Sequence, residues 1–206
     1  GYNEWFRPAQ DIHYTYQKYI DNPGYFFFLG NTDPKKNTER TLIAYSKYLE
    51  ESDVKRKLLM ADLDHDYLDG IIERNHIENI RKNVVMPGYI VNQDLPDIYN
   101  SAFAFLYTSL RESFGIPLLE AMACGTPVIT SNTSSMPEIG GPNAILINPE
   151  NPEEIAEMML KLENEDIFYR KQEQVGLERA KLFSWRHTAE QLLEVYDNVY
   201  KRTSKR

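Results

Sequence analysis

The chain has 206 residues, of which 42% are hydrophobic and 26% charged, and this composition is ordinary for a globular protein with a sizeable core. A formal net charge of −8 argues against a general affinity for nucleic acid. The single cysteine, Cys124, cannot form an internal disulfide, and no apolar run approaches the roughly 18 residues that a membrane-spanning helix needs, so we expect a cytoplasmic protein.

Short apolar runs alternate with helical patterns from residue 25 onward. The runs typical of buried strands lie at 25–29, 57–61, 83–87, 102–107, 127–131 and 144–148. Helical patterns lie between and after them, at 38–49, 66–75, 95–101, 117–123, 152–162, 167–183 and 185–200. This alternation predicts an α/β fold with a doubly wound, mainly parallel, six-stranded Rossmann-like sheet and helices on both faces. We expect one domain over residues 25–206, entered by an N-terminal arm or linker over residues 1–24.

The loop after the fourth predicted strand has features of an anion site. It leads into a helix near Pro117, so the N–H groups of residues 114–116 are predicted to be unpaired donors at a positive helix end. Glu120 lies about one turn inside that helix, where a carboxylate can accept hydrogen bonds from the vicinal hydroxyls of a ribose. Glu112 lies before the turn, on the other side of the anion. On spacing alone, a solvent-exposed Glu112 and a Glu120 that only favours the helix start remain the simpler interpretation.

The loop after the first predicted strand carries two adjacent lysines, Lys35 and Lys36, which could reach a phosphate at the same edge of the sheet. Thr38 is the predicted N-cap of the following helix. The loop contains neither a GxGxxG fingerprint nor a P-loop motif. Taken without other information, the two lysines are better explained as surface charge.

Two segments together resemble a known family. They are LGNTDPKKN after the first strand, and RESFGIPLLEAMACGTPVITSNTSSMPEIGG around the two glutamates. Both resemble the C-terminal, donor-binding domain of retaining GT-B glycosyltransferases, and the resemblance extends over about 90% of the chain. It implies one half of a GT-B fold, a hexosyltransferase-type enzyme in the full-length protein, and a role in polysaccharide biosynthesis.

The resemblance also implies roles for individual residues. Lys36 would bind the diphosphate of the donor, Glu120 would hold the ribose, and Glu112 would be the catalytic carboxylate that contacts the transferred sugar. The remaining donor-binding candidates are Gly30, Asn31, Lys35, Gly88, Tyr89, Ile90, Phe114, Gly115 and Ile116, with the base placed against Gly88, Tyr89 and Ile90. The donor would be a nucleotide sugar such as a UDP- or GDP-sugar, and neither a metal nor another cofactor is implied.

The sequence departs from the family pattern at two places. Asn31 stands where many members carry an arginine after the glycine, and Lys35 is the residue that could compensate for it. The loop at 61–66 reads ADLDHD, where a glycine is usual, and its acids would repel a diphosphate if they faced the site. We therefore expect these acids to face away from the site.

The resemblance finally implies partners. The N-terminal acceptor domain of the same polypeptide would complete the catalytic cleft, so this chain alone should bind a nucleotide sugar and transfer little or nothing. Peripheral contact of the full-length protein with the inner face of the membrane is a further expectation. The alternative is a non-catalytic Rossmann-like binding or interaction module related to glycosyltransferases.

Overall fold

A single parallel sheet forms the centre of the computed structural model, which describes residues 1–9 and 14–203. Its six strands follow the order β3-β2-β1-β4-β5-β6. They are β1 (Tyr25–Phe28), β2 (Leu58–Met60), β3 (Val84–Val85), β4 (Ala102–Tyr107), β5 (Val128–Ser131) and β6 (Ile145–Ile147). Each lies inside a run that the sequence predicts as a strand, and the predicted doubly wound α/β fold is confirmed.

The α-helices in the described residues alternate with the strands. They are α1 (Thr38–Glu51), α2 (His65–Asn75), α3 (Leu95–Ser101), α4 (Ile116–Ala123), α5 (Met136–Gly140), α6 (Pro152–Asn164), α7 (Asp166–Ala180) and α8 (Trp185–Thr203). Short 3-10 helices lie at Thr15–Lys18, Pro34–Lys36 and Glu78–Ile80. All the predicted helices are present within a few residues of their expected bounds, whereas α5 and the 3-10 helices are not predicted from the sequence.

Strand β1 shows why the sheet is covered on both faces. All four residues of its YFFF sequence are buried, since successive side chains of a strand point to opposite faces. Phe26 and Phe28 pack into a cluster with α1, α2 and α6, and Phe27 packs into a second cluster with α3 and α4. Burying a phenylalanine side chain contributes about 1.5–3 kcal/mol, so this strand anchors both layers.

The strand order indicates which edge of the sheet is expected to bind a ligand. The chain builds outward from β1 to β3 and then returns to β4 on the other side of β1, so the direction reverses between β1 and β4. In open parallel sheets, ligands bind beyond the carboxyl ends of the strands at such a reversal. The loops that lead into α1 and α4 lie at this point, and they carry the residues singled out from the sequence.

The N-terminal arm packs against the domain. Phe6, Tyr16 and Ile20 are buried in the cluster with α3 and α4, and the Tyr19 hydroxyl donates a hydrogen bond of 2.7 Å to Asp94. The boundary at residue 24 stays a prediction. No helix among residues 1–9 and 14–203 has both the length and the apolar character that crossing a membrane requires.

Candidate functional site

An ion pair joins the two loops at the reversal point. The Lys36 ammonium lies 2.7 Å from Glu112 Oε1, and only 19% and 14% of these side chains are exposed. The same ammonium lies 5.7 Å from the ring centroid of Tyr107, the last residue of β4. Burial alone would raise the pKa of Glu112, but hydrogen bonds from Lys36 and Ser109, together with the charge of Lys36, hold it below its ordinary value. The structure therefore brings the predicted phosphate lysine and the predicted catalytic carboxylate into direct contact.

Two serines after β5 fix the backbone around Glu112. Ser134 Oγ accepts a hydrogen bond from Glu112 N at 3.2 Å and donates one to Glu112 O at 2.6 Å. Ser135 Oγ lies 3.0 Å from Glu112 O and 3.1 Å from Phe114 O. Neither serine is among the site residues predicted from the sequence, although their position directly beyond the carboxyl end of β5 is a usable signal.

The start of α4 presents unpaired donors, as predicted. Within the described part of the chain, none of the backbone N–H groups of Phe114, Gly115 and Ile116 donates a hydrogen bond to another group. Gly115 has a φ of 101°, a left-handed conformation that favours glycine, and a Cβ there would come within 2.6 Å of Met136 Cε. The positive end of α4 thus lies open beside the Lys36–Glu112 pair.

A cavity of about 530 Å³ adjoins α4 and contains Glu120. Tyr89 and Ile90, which the family resemblance assigns to the base, line it together with Leu29, Ala61, Asn92, Leu95 and Pro117 and with Asn3, Trp5 and Phe6 of the arm. Ile90 is buried and Tyr89 is 65% exposed. Gly88 has a φ of 82° and shapes the turn before them. Burial raises the pKa of Glu120 to about 7, and the hydroxyl of Tyr99 opposes this shift.

One expectation about the acidic loop is wrong. Asp62 lines this cavity instead of facing away from it. Its φ of 57° and the 3.0 Å hydrogen bond from its N–H to Gly88 O hold this part of the loop against the cavity wall. Asp64 behaves differently, because its side chain accepts a hydrogen bond from Tyr67 N at 3.0 Å and caps α2.

The loop after β1 also differs from expectation. The residue that flanks α1 is Asn37 and not the predicted Thr38, which is already the first helical residue. Asn37 has a φ of 60°, and its amide donates to Thr108 O at 3.0 Å and to Pro149 O at 2.7 Å. This side chain therefore ties the Lys36 loop to the loop before Glu112, which a local capping argument does not reveal.

Three other candidates in this loop shape its backbone. Gly30 is buried, and a Cβ there would lie 1.8 Å from the ring of Phe28. Asn31 Oδ1 accepts a hydrogen bond from Asp33 N at 2.9 Å. The Lys35 ammonium lies 3.0 Å from Asp33 Oδ2 and its side chain is half exposed. Of the two lysines, only Lys36 is in contact with Glu112.

Comparison with known proteins gives consistent matches. Residues 17–179 match the family model described as glycosyl transferases group 1. Among curated proteins, the chain is similar to O-antigen chain mannosyltransferase B of Escherichia coli, with 32% identity over 176 residues, which is 84% of this chain and 45% of that protein.

Solved structures share the fold. One is the C-terminal domain of a glycosyl transferase group 1 family protein (LpcC) from Francisella tularensis, with a TM-score of 0.73 and 22% identity over 87% of this chain and 95% of that one. Another is Anabaena HepE in complex with UDP and glucose, with a TM-score of 0.79 and 17% identity over 94% of this chain and 54% of that one.

Proposed function

The chain belongs to the glycosyl transferases group 1 family, and we propose that it is the donor-binding part of a retaining hexosyltransferase. The donor is a nucleoside-diphosphate sugar, and mannose is the sugar that the name of the Escherichia coli relative indicates. The chain spans less than half of that relative. We propose that an acceptor domain in the same polypeptide completes the enzyme. The proposal rests mainly on one observation: the Lys36–Glu112 pair, the open start of α4 and the Glu120 cavity lie at the same edge of the sheet.

The first step is binding of the diphosphate between Lys36 and α4. A lysine ammonium has three donors, so Lys36 can keep its hydrogen bond to Glu112 and still donate to a phosphate oxygen. The free N–H groups of residues 114–116 supply further donors at the positive end of the helix. Together they stabilise the charge that develops on the diphosphate as it leaves the sugar, and no metal is needed for this.

Glu112 orients the transferred sugar. Its carboxylate is kept ionised by Lys36 and its backbone is fixed by the two serines, so it presents a rigid acceptor for sugar hydroxyls near the anomeric carbon. Retention follows when the leaving diphosphate itself takes the proton of the acceptor hydroxyl on the same face of the sugar. In this mechanism Glu112 positions the reacting groups and forms no covalent bond.

Glu120 accepts hydrogen bonds from the two ribose hydroxyls. A carboxylate has room for about four hydrogen bonds, and the half-buried position of Glu120 at the cavity wall limits competition from water. The base then lies against Tyr89 and Ile90, where one aromatic ring and one buried apolar side chain offer a stacking surface.

Calorimetric titration of this chain with UDP, GDP and ADP tests the proposal. Lys36→Ala should weaken diphosphate binding roughly 10- to 100-fold while leaving the weak binding of the corresponding nucleoside unchanged, because only the diphosphate contacts the lysine. Lys35→Ala is the matched comparison, since its ammonium is held by Asp33 and the loss should be smaller. Equal losses for nucleoside and nucleotide would remove Lys36 from the phosphate site.

Variants of the two glutamates distinguish binding of the sugar from binding of the nucleotide. Glu120→Ala should weaken binding of the bare nucleotide, whereas Glu112→Ala should spare it and weaken only the complete nucleotide sugar. Equal effects of both variants on the bare nucleotide would contradict this geometry. Absence of any binding at millimolar nucleotide would instead favour the non-catalytic interaction module.

A further inference from the structure

Tyr99 on α3 carries a buried hydroxyl without a hydrogen-bond partner among the described residues. The side chain is fully buried, and its ring is held by edge contacts with Phe6, Phe27 and Phe105 at centroid distances of 5.9, 5.3 and 5.2 Å. Its backbone is also held, because the Thr126 hydroxyl donates to Tyr99 O at 2.7 Å. Buried hydroxyls are normally paired, so a rigidly held exception requires an explanation.

Tyr99 and Glu120 share a neighbour, because Phe6 packs on the ring of Tyr99 and also lines the cavity that contains Glu120. Burial is the largest cause that raises the pKa of Tyr99 far above its ordinary value, and the Glu120 charge is the next. The effect is mutual, because the Tyr99 hydroxyl acts on Glu120 in the direction that favours its ionised form. Helices α3 and α4, which carry Tyr99 and Glu120, pack directly against each other.

Among the described residues, no cationic side chain forms an ion pair with Glu120 or lines its cavity. Asp62 is the other charged side chain among the described residues that line the cavity, and it is negative. The charge of Glu120 also acts on Tyr107 of β4 and Cys124 at the end of α4, and both are neutral, since burial raises the pKa of Cys124 to about 12 and raises that of Tyr107. Glu112 has Lys36, whereas a hydroxyl is the available donor for Glu120.

We propose that Tyr99 is a positioning residue for Glu120, donating its hydroxyl hydrogen to one carboxylate oxygen while the remaining lone pairs accept the ribose hydroxyls of the nucleotide. This inference rests on the proposed function of Glu120. The tyrosine stays protonated at any physiological pH, so its hydroxyl is a donor toward the ionised carboxylate. Its hydrogen bond keeps the carboxylate ionised and aimed at the ribose in a cavity that otherwise favours the neutral acid.

The test combines two measurements on Tyr99→Phe, which keeps the ring and removes only the unpaired hydroxyl. Thermal melting should show that the variant folds at least as stably as the wild type. In the first measurement, the carboxyl carbon of Glu120 is titrated by ¹³C NMR without ligand, and the midpoint should rise by half a pH unit or more. An unchanged midpoint would overturn the inference.

The second measurement is the calorimetric affinity for UDP and GDP between pH 6 and 8.5. Tyr99→Phe should weaken binding about tenfold at pH 6.5 and less at pH 8.5, where Glu120 ionises without help. Tyr25→Phe is the matched control, because that buried hydroxyl donates to Ile98 O at 2.8 Å, and its loss should lower stability without changing affinity. If the wild type binds and Tyr99→Phe binds equally well at every pH, only this inference fails. If the wild type binds no nucleotide, the inference fails together with the proposed function.

Discussion

Replacing Glu120 by glutamine should stabilise the folded chain above neutral pH while weakening nucleotide binding. The pKa of Glu120 is about 7 in the folded chain against 4.5 for an ordinary glutamate, because burial disfavours its charge. A carboxyl with a raised pKa binds its proton more tightly in the folded state than in the unfolded state. The wild type therefore loses stability as the pH rises from 4.5 through 7, and the glutamine variant does not.

The size of this effect follows from the two pKa values. The difference between 4.5 and about 7 corresponds to about 3 kcal/mol of unfolding free energy. Solvent reaches part of the Glu120 side chain from the cavity, so we expect the measured gain to be about 1.5–3 kcal/mol above pH 7. Near pH 4 the side chain at position 120 is uncharged in the wild type as well as in Glu120→Gln, in the folded state and in most of the unfolded chains. The stabilities of the two proteins should therefore converge.

Urea unfolding of the wild type and of Glu120→Gln at intervals from pH 4.5 to 8.5 measures this difference directly. The matched control is Glu112→Gln, for which the change in unfolding free energy should have the opposite sign. The pKa of Glu112 is lowered in the folded chain, so its charge stabilises the fold above pH 4.5. This variant should therefore be less stable than the wild type at neutral pH. A stability difference for Glu120→Gln that stays constant with pH would refute the assignment of a costly buried charge to this position.

Two further predictions concern residues that support the fold, one at the end of the sheet opposite the site and one within the site. Glu163→Gln should destabilise the chain by about 3 kcal/mol in urea unfolding, because the buried side chain pairs with Arg56 and accepts hydrogen bonds from Tyr48 and Ser52 at the amino ends of the strands. It should leave nucleotide affinity unchanged. The exposed Glu165→Gln should change neither stability nor affinity. Gly115→Ala should lower the free energy of unfolding by about 1–3 kcal/mol, because the φ of 101° strains any other residue, and it should also weaken phosphate binding. The control Gly70→Ala inside α2 should raise the free energy of unfolding by about 0.5–1 kcal/mol. A stable Gly115→Ala that binds phosphate fully would show that the start of α4 tolerates a side chain.

The sequence predicts the sheet well because its strands are short, apolar and buried on both faces. The YFFF run of β1 and the AFAFLY run of β4 need no tertiary information to be recognised. Helix α5 is missed because its five residues, MPEIG, are too few to show a helical period. Local chemistry predicts the broad outline of the domain and fails where a segment is short.

The site shows the same division between local and long-range information. The topology places Lys36 and Glu112 at the same edge, but their ion pair joins residues 76 positions apart and depends on the conformations of both loops. Asn37 looks like a residue beside a cap, yet its amide binds carbonyls 71 and 112 positions away. Tyr99 looks like an ordinary aromatic core residue, because a sequence does not reveal which buried hydroxyl lacks a partner.

The two glutamates of the α4 region now differ in a way that their spacing alone does not suggest. Glu112 is compensated by Lys36 and is stable as a charge in the folded chain, whereas Glu120 has no cationic partner in the part of the chain that the structure describes and is destabilised as a charge. A nucleotide that donates two ribose hydroxyls to Glu120 supplies the hydrogen bonds that its carboxylate lacks, and it binds the ionised form. Since a ligand that binds only the folded state stabilises it, nucleotide should raise the stability of this chain more at pH 8 than at pH 6. The buried charge that weakens the free domain is thus the feature that makes its stability responsive to the donor.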